Sequence, residues 1–105
     1  MNEYLILQSI DKSVNRYRAY GISVSQVNDT YYMVKTTWGR ISNVRQSNTR
    51  LFDTADSMKQ YISQILQLRK NHGYALVEQS ERFPKVKSLS KLGSAPCFSF
   101  QPTIF

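Results

Sequence analysis

Tyr31-Tyr32-Met33-Val34-Lys35-Thr36-Thr37-Trp38-Gly39-Arg40 decides how this chain is read. The first seven residues are rich in β-branched and aromatic side chains and predict a strand. The last three hold the sole tryptophan, one of four glycines and a planar cation. A flat ring, a backbone open to close approach and a guanidinium fork are together suited to gripping a sugar-phosphate terminus. Residue types alone leave burial of Trp38 and its functional exposure both open.

Working outward, Asn28-Asp29 before this strand supplies a turn, since both side chains tolerate left-handed backbone and bond to following amides. A second strand is expected upstream, from about Tyr17 to Val27. Tyr20, Ile22 and Val24 fall on one of its faces, with Arg18, Gly21 and Ser23 in or around the other. Residues 4–9 alternate loosely and read as a half-buried first strand ended by Asp11-Lys12-Ser13. Beyond Arg40, Ile41 and Val44 stand alone among polar residues, and residues 49–52 suggest a short last strand before a helix.

That helix, residues 54–71, is the clearest element. Met58, Tyr61, Ile62, Ile65, Leu66 and Leu68 recur at three- and four-residue steps. Asp53 or Thr54 can cap its start, Asp56 suits the positive end of its dipole, Arg69, Lys70 and His72 suit the negative end, and Gly73 can stop it. Residues 74–77 then return as an edge strand. The fold class is therefore α+β: a small twisted antiparallel sheet with one main helix packed across it, plus a basic and apolar C-terminal extension. The division expected is residues 1–79 as the domain and 80–105 as the extension. The latter is basic and aperiodic at first and ends with Phe98, Phe100, Ile104 and Phe105, which are too apolar for a plain solvated tail and are expected to dock on the domain or on a partner.

The 105 residues suit one modest core, which at this size buries roughly two thirds of the unfolded surface. Fourteen Lys and Arg against seven Asp and Glu give +7. The isoelectric point of 9.8 lies above the value of about 9 that marks nucleic-acid binders, so a polyanionic partner is implied, with simple solubility as the rival reading. A lone cysteine, Cys97, excludes an internal disulfide and a thiolate metal site. No apolar run is long enough to cross a bilayer, and the start lacks the basic segment of a signal peptide. An intracellular protein, cytoplasmic or nucleoid-associated and without membrane partners, is the expectation.

Catalytic equipment is nearly missing. One His, one Cys and seven scattered acids offer no paired carboxylates and no nucleophile with its base, and four distant glycines build no phosphate loop. His72 reads as a helix-end residue, and Cys97 as a small hydrophobe between Pro96 and Phe98. No enzyme activity, no catalytic residue, no cofactor and no metal are expected. What remains is cations among aromatics: Arg16, Tyr17, Arg18 and Tyr20 in one hairpin, and Tyr31, Tyr32, Lys35, Trp38 and Arg40 in the next. Sheet faces of this kind suit nucleic acid, although at least half the tyrosines are expected to be ordinary packing residues.

Residues 31–41 resemble the signature of the WGR domain, a family named for its Trp-Gly-Arg tripeptide. The resemblance runs from about Leu5 to Val77. Asn15, Arg18 and Tyr20 resemble the family's pattern at its second strand, and Gln46, Phe52 and the helix leading through Arg69 to Gly73-Tyr74 fall at its usual spacings. The resemblance implies an antiparallel sheet with one helix across it. In poly(ADP-ribose) polymerases such domains bind DNA strand breaks with the tripeptide at the contact, and also touch neighbouring domains. Carried over, Trp38 would stack on a terminal sugar, Gly39 would permit close approach, and Arg40 would bond phosphate or brace a neighbouring element. Arg18 and Lys35 would add phosphate contacts. A chain of this length has no room for a polymerase domain, so it would be a free-standing reader.

The sequence departs from the family pattern in the loop after the tripeptide, where Ser42 and Arg45 replace two usual glycines, and at Ala19, which replaces an aromatic. The altered loop weakens any inference about its backbone contacts, while Arg45 and Arg50 add charge. The functional expectation is a non-enzymatic nucleic-acid-binding module, DNA favoured over RNA, selecting ends, nicks or branched structures. Its site residues are Trp38, Gly39, Arg40, Arg18, Lys35, Arg45 and Arg50. The alternative is a protein-interaction or assembly module, including self-association, that uses the basic face and the apolar tail.

Overall fold

The computed structural model describes residues 3–86. Its strands are β1 (Glu3–Asp11), β2 (Arg16–Gln26), β3 (Tyr32–Arg40), β4 (Asn43–Phe52) and β5 (Ala75–Gln79), and its helix is α1 (Ala55–Asn71). They form one antiparallel sheet in the order β4-β3-β2-β1-β5, with α1 packed across one face. A single turn of 3-10 helix, Lys12–Val14, joins β1 to β2, with Asp11 accepting from the Ser13 amide and Asn15 in the left-handed region at φ 54°. Left-handed backbone is tolerated by asparagine at small cost, which explains its presence there.

Register gives four rows on the helix side that each cross all of β1, β2, β3 and β4. Directly opposed residues share a face. The rows are Glu3–Val24–Val34–Arg50, Leu5–Ile22–Thr36–Asn48, Leu7–Tyr20–Trp38–Gln46 and Ser9–Arg18–Arg40–Asn43. Met58, Ile62 and Leu66 of α1 bury themselves on Leu5, Leu7, Tyr20, Ile22, Val24 and Val34. Leu5, Leu7, Ile22, Ile62 and Leu66 are fully buried.

α1 begins and ends on the local signals. The Thr54 hydroxyl accepts from the Ser57 amide at 3.1 Å, Asp56 lies in the first turn, and His72 and Gly73 donate back to the last-turn carbonyls, Gly73 at φ 83°. Thr54→Ala is expected to lower stability by about 1 kcal/mol, read as a shift of the urea midpoint. The helical stripe is narrower than the spacing predicts, because Leu68 points away from the sheet and is 46% exposed.

Three other expectations are corrected. The last strand before the helix is ten residues long, not four, and most of it is exposed. As an edge strand whose residues are mostly exposed, β4 has no need of alternating apolar residues, so pattern reading finds only its end. Ile41 is not isolated: it is fully buried, its amide donates to the Tyr17 carbonyl at 2.9 Å, and it packs with Ala19, Ile6, Tyr17 and Val44 on the face away from α1. Ala19 is itself fully buried there, so a small side chain lets the β3–β4 hairpin tip fold onto β2. Arg18 shares the face of Tyr20 and Ile22, because alternation runs unbroken through β2.

The folded unit continues beyond β5. Ser80 receives the Tyr4 amide on its hydroxyl and donates to Glu3, while Phe83 is 4% exposed within the main core and Val86 packs against it. Cys97, Phe98, Phe100, Ile104 and Phe105 lie outside the described residues, and with them the expected docking or self-association of the tail.

Candidate nucleic-acid interface

Trp38 stands in the third row, on the helix side of β3 and half-buried. Its neighbour is Tyr20, whose ring is stacked at 6.2 Å between centroids and 19° between planes. The guanidinium of Arg69, from the last turn of α1, lies over the same tyrosine at 4.3 Å and 5.7 Å from the ring of Tyr74, which meets Tyr20 edge-on at 6.3 Å. The indole stacks on the Tyr20 phenol, and the guanidinium sits against the Tyr20 and Tyr74 rings where these two meet edge-on. Rings held this way clamp the cation through their quadrupoles. Arg69 Nε is buried without a hydrogen-bond partner. A donor placed so is costly unless something completes it.

Beside this stack opens a cleft of about 290 Å³ lined by Ser9, Arg16, Arg18, Arg69, His72 and Tyr74. Three guanidiniums and an imidazole meet there with no carboxylate in the lining, which is an arrangement for anions. The fourth cross-strand row supplies its floor, since Arg18 is opposed by Ser9 on one side and by Arg40 on the other. Arg40 is exposed, and its guanidinium lies 6.0 Å from the Tyr17 ring.

Gly39 has a different setting. It sits at φ 152° opposite a bulge in which Arg45 is the additional residue of β4. A Cβ there would meet the Asn43 carbonyl oxygen at 2.9 Å and Val44 Cα at 3.2 Å. The glycine is therefore required by the chain's own hairpin, whatever ligand approaches it.

The other expected site residues are dispersed. Arg45 Nε donates to Asn43 Oδ1 at 3.0 Å at the hairpin tip. Arg50 is on the helix side but at the far end of β4, over Tyr61 at 4.9 Å and near Phe52 at 5.9 Å. Lys35 is exposed on the opposite face, by alternation with Val34 and Thr36. Register thus brings Trp38, Gly39, Arg40 and Arg18 to one end of the sheet, with the Arg40 guanidinium against Tyr17 and outside the cleft lining, whereas Lys35, Arg45 and Arg50 point to three separate surfaces. Arg69 and Tyr74, central to the stack, are absent from the expected site. Their signal was available: Arg69 continues the buried helical stripe of Ile62 and Leu66, a place where a cation needs a reason.

Burial pushes the Tyr20 phenol up from its ordinary value, against smaller downward pulls from a hydrogen bond with Thr36 and the charge of Arg69. A raised phenol pKa means that the unfolded chain loses its proton first. Stability should be level through neutral pH and fall as pH rises above about 10. Thermal melts from pH 8 upward should show a gentler alkaline fall for Tyr20→Phe, and an equally steep fall would contradict this origin.

Among the described residues, no group of three His, Cys, Asp or Glu side chains converges to hold a metal, and no helix is long and apolar enough to cross a membrane. A family model described as WGR domain matches residues 1–81. No curated protein and no solved structure matches the chain. The WGR domain is known as a nucleic-acid-binding module and is a binding domain, not a catalytic one. Tripeptide, five-stranded sheet, crossing helix and family model agree, and the chain belongs to the WGR domain family.

Proposed function

We propose that this chain binds DNA at ends, nicks or branched structures, with Trp38 against the exposed terminal sugar or base and with Arg18, Arg40, Arg16 and Arg69 on the flanking phosphates. The observation that carries this reading is the guanidinium cleft, free of carboxylate lining, opening beside the Trp38–Tyr20–Arg69 stack. An uninterrupted duplex hides its flat base faces inside the stack and presents only phosphates and groove edges. An end or a nick exposes a flat face beside phosphates, which is what a ring next to a cationic cleft can hold at once. Arg69 is already held against two tyrosine rings, so little side-chain freedom is lost when it meets a phosphate.

Four phosphate contacts predict that the logarithm of the binding constant falls with the logarithm of salt at a slope of about −3 to −4. Arg69→Gln should weaken binding about fivefold or more and reduce that slope by about one. Fluorescence anisotropy with nicked, blunt, hairpin and covalently closed duplexes at several salt concentrations checks both statements. Equal affinity for closed and nicked duplexes would contradict the end selectivity. A slope shallower than about −1 would contradict the phosphate contacts.

A further inference from the structure

A second aromatic and cationic surface lies along the outer strand, away from the guanidinium cleft. Gln46, the direct partner of Trp38, and Asn48 and Arg50 follow one another on the helix side of β4 and are exposed. Against Arg50 opens a cleft of about 300 Å³ completed by Phe52, Ser57, Gln60, Tyr61 and Gln64. Phe52 and Tyr61 meet at 5.1 Å, and the Arg50 guanidinium is laid over Tyr61 at 4.9 Å. Gln46, Asn48 and Arg50 thus form a shelf along the exposed helix side of β4, running from the partner of Trp38 to this cleft and ending in a guanidinium braced on rings.

We propose that this shelf holds the unpaired strand of a duplex end, leading an overhang from Trp38 to Arg50. The proposal rests on the DNA-binding reading above. Bases of a single strand stack on rings and guanidinium planes, and amide side chains supply both donors and acceptors for exposed base edges. The cleft lining contains no carboxylate to repel phosphate. Length follows from geometry: Gln46 and Arg50 are four residues apart on an extended strand, about 13 Å. That spans about four nucleotides when stacked at about 3.4 Å and fewer when splayed. Asp53 and Asp56 follow just beyond Phe52 in the chain, so the strand gains nothing by running further.

The test compares duplexes carrying a blunt end or overhangs of one to eight nucleotides of either polarity, by anisotropy against the full chain. Overhangs of one polarity at least should tighten binding about five- to tenfold over the blunt end, with the gain complete by about four nucleotides. Arg50→Gln and Gln64→Glu should each bring the overhang-to-blunt ratio close to one, whereas Trp38→Phe should lower both arms and keep the ratio. A ratio near one in the parent at every length overturns the shelf and leaves end binding standing. A gain that keeps growing through eight nucleotides, or that survives both shelf variants, also overturns it. Absence of binding to every duplex removes the reading beneath it.

Discussion

Gly39→Ala is expected to destabilise the protein by about 3 kcal/mol, a fall of the urea midpoint of about 2 M. Two costs combine. At φ 152° an L side chain is strained, and the added Cβ would lie 2.9 Å from the Asn43 carbonyl oxygen and 3.2 Å from Val44 Cα. Both obstacles are backbone, so no rotamer change relieves them, and the bulge at Arg45 leaves β4 no slack to withdraw. The strain also reaches Ile41, buried at the hairpin tip two residues on. The outcome separates two meanings of the central glycine. A variant within about 0.5 kcal/mol of the parent that has lost DNA binding would show that the residue serves ligand approach and not the hairpin.

The second large effect concerns binding. Trp38→Ala should weaken association with nicked or blunt DNA by roughly ten- to a hundredfold, because a stacking ring contributes about 1 to 3 kcal/mol per base. The ring also packs on Tyr20 and the main core, so some stability is lost with it. Trp38→Phe separates the roles: a smaller ring keeps the contact with Tyr20 and should retain most of the stability while losing part of the affinity. An alanine variant with a native circular dichroism spectrum and the affinity of the parent would sink the proposed contact.

Elements whose signals are local are legible in the sequence. α1 carries its cap at Thr54, its stop at Gly73 and its apolar stripe within one short segment, and the fold keeps all of these except Leu68. β4 is illegible over most of its length because an exposed outer strand has no hydrophobic period to read. Ile41 looks unpartnered in the sequence because its partners Tyr17, Ala19 and Ile6 come from strands earlier in the chain. The same limit applies to the site. Trp38, Arg40 and Arg18 converge because register between β2 and β3 brings them to one end of the sheet, the end that the tripeptide marks. Arg69 reaches Tyr20 only through the crossing of α1 over the sheet, which no spacing along the chain specifies. Conversely, Lys35 and Arg50 look equivalent to Arg40 as charges in sequence, yet alternation and strand length carry them elsewhere.

Because Trp38 is the sole tryptophan, its emission reports on the central contact without any label. Titrating the protein with nicked duplex at low and high salt, with Trp38 fluorescence and DNA anisotropy followed together, tests the account most directly. A saturable change in emission whose midpoint coincides with the anisotropy midpoint, and which moves with it to weaker binding as salt rises, is the predicted result. Tight binding by anisotropy with Trp38 emission unchanged would place the DNA elsewhere on the molecule and contradict the account.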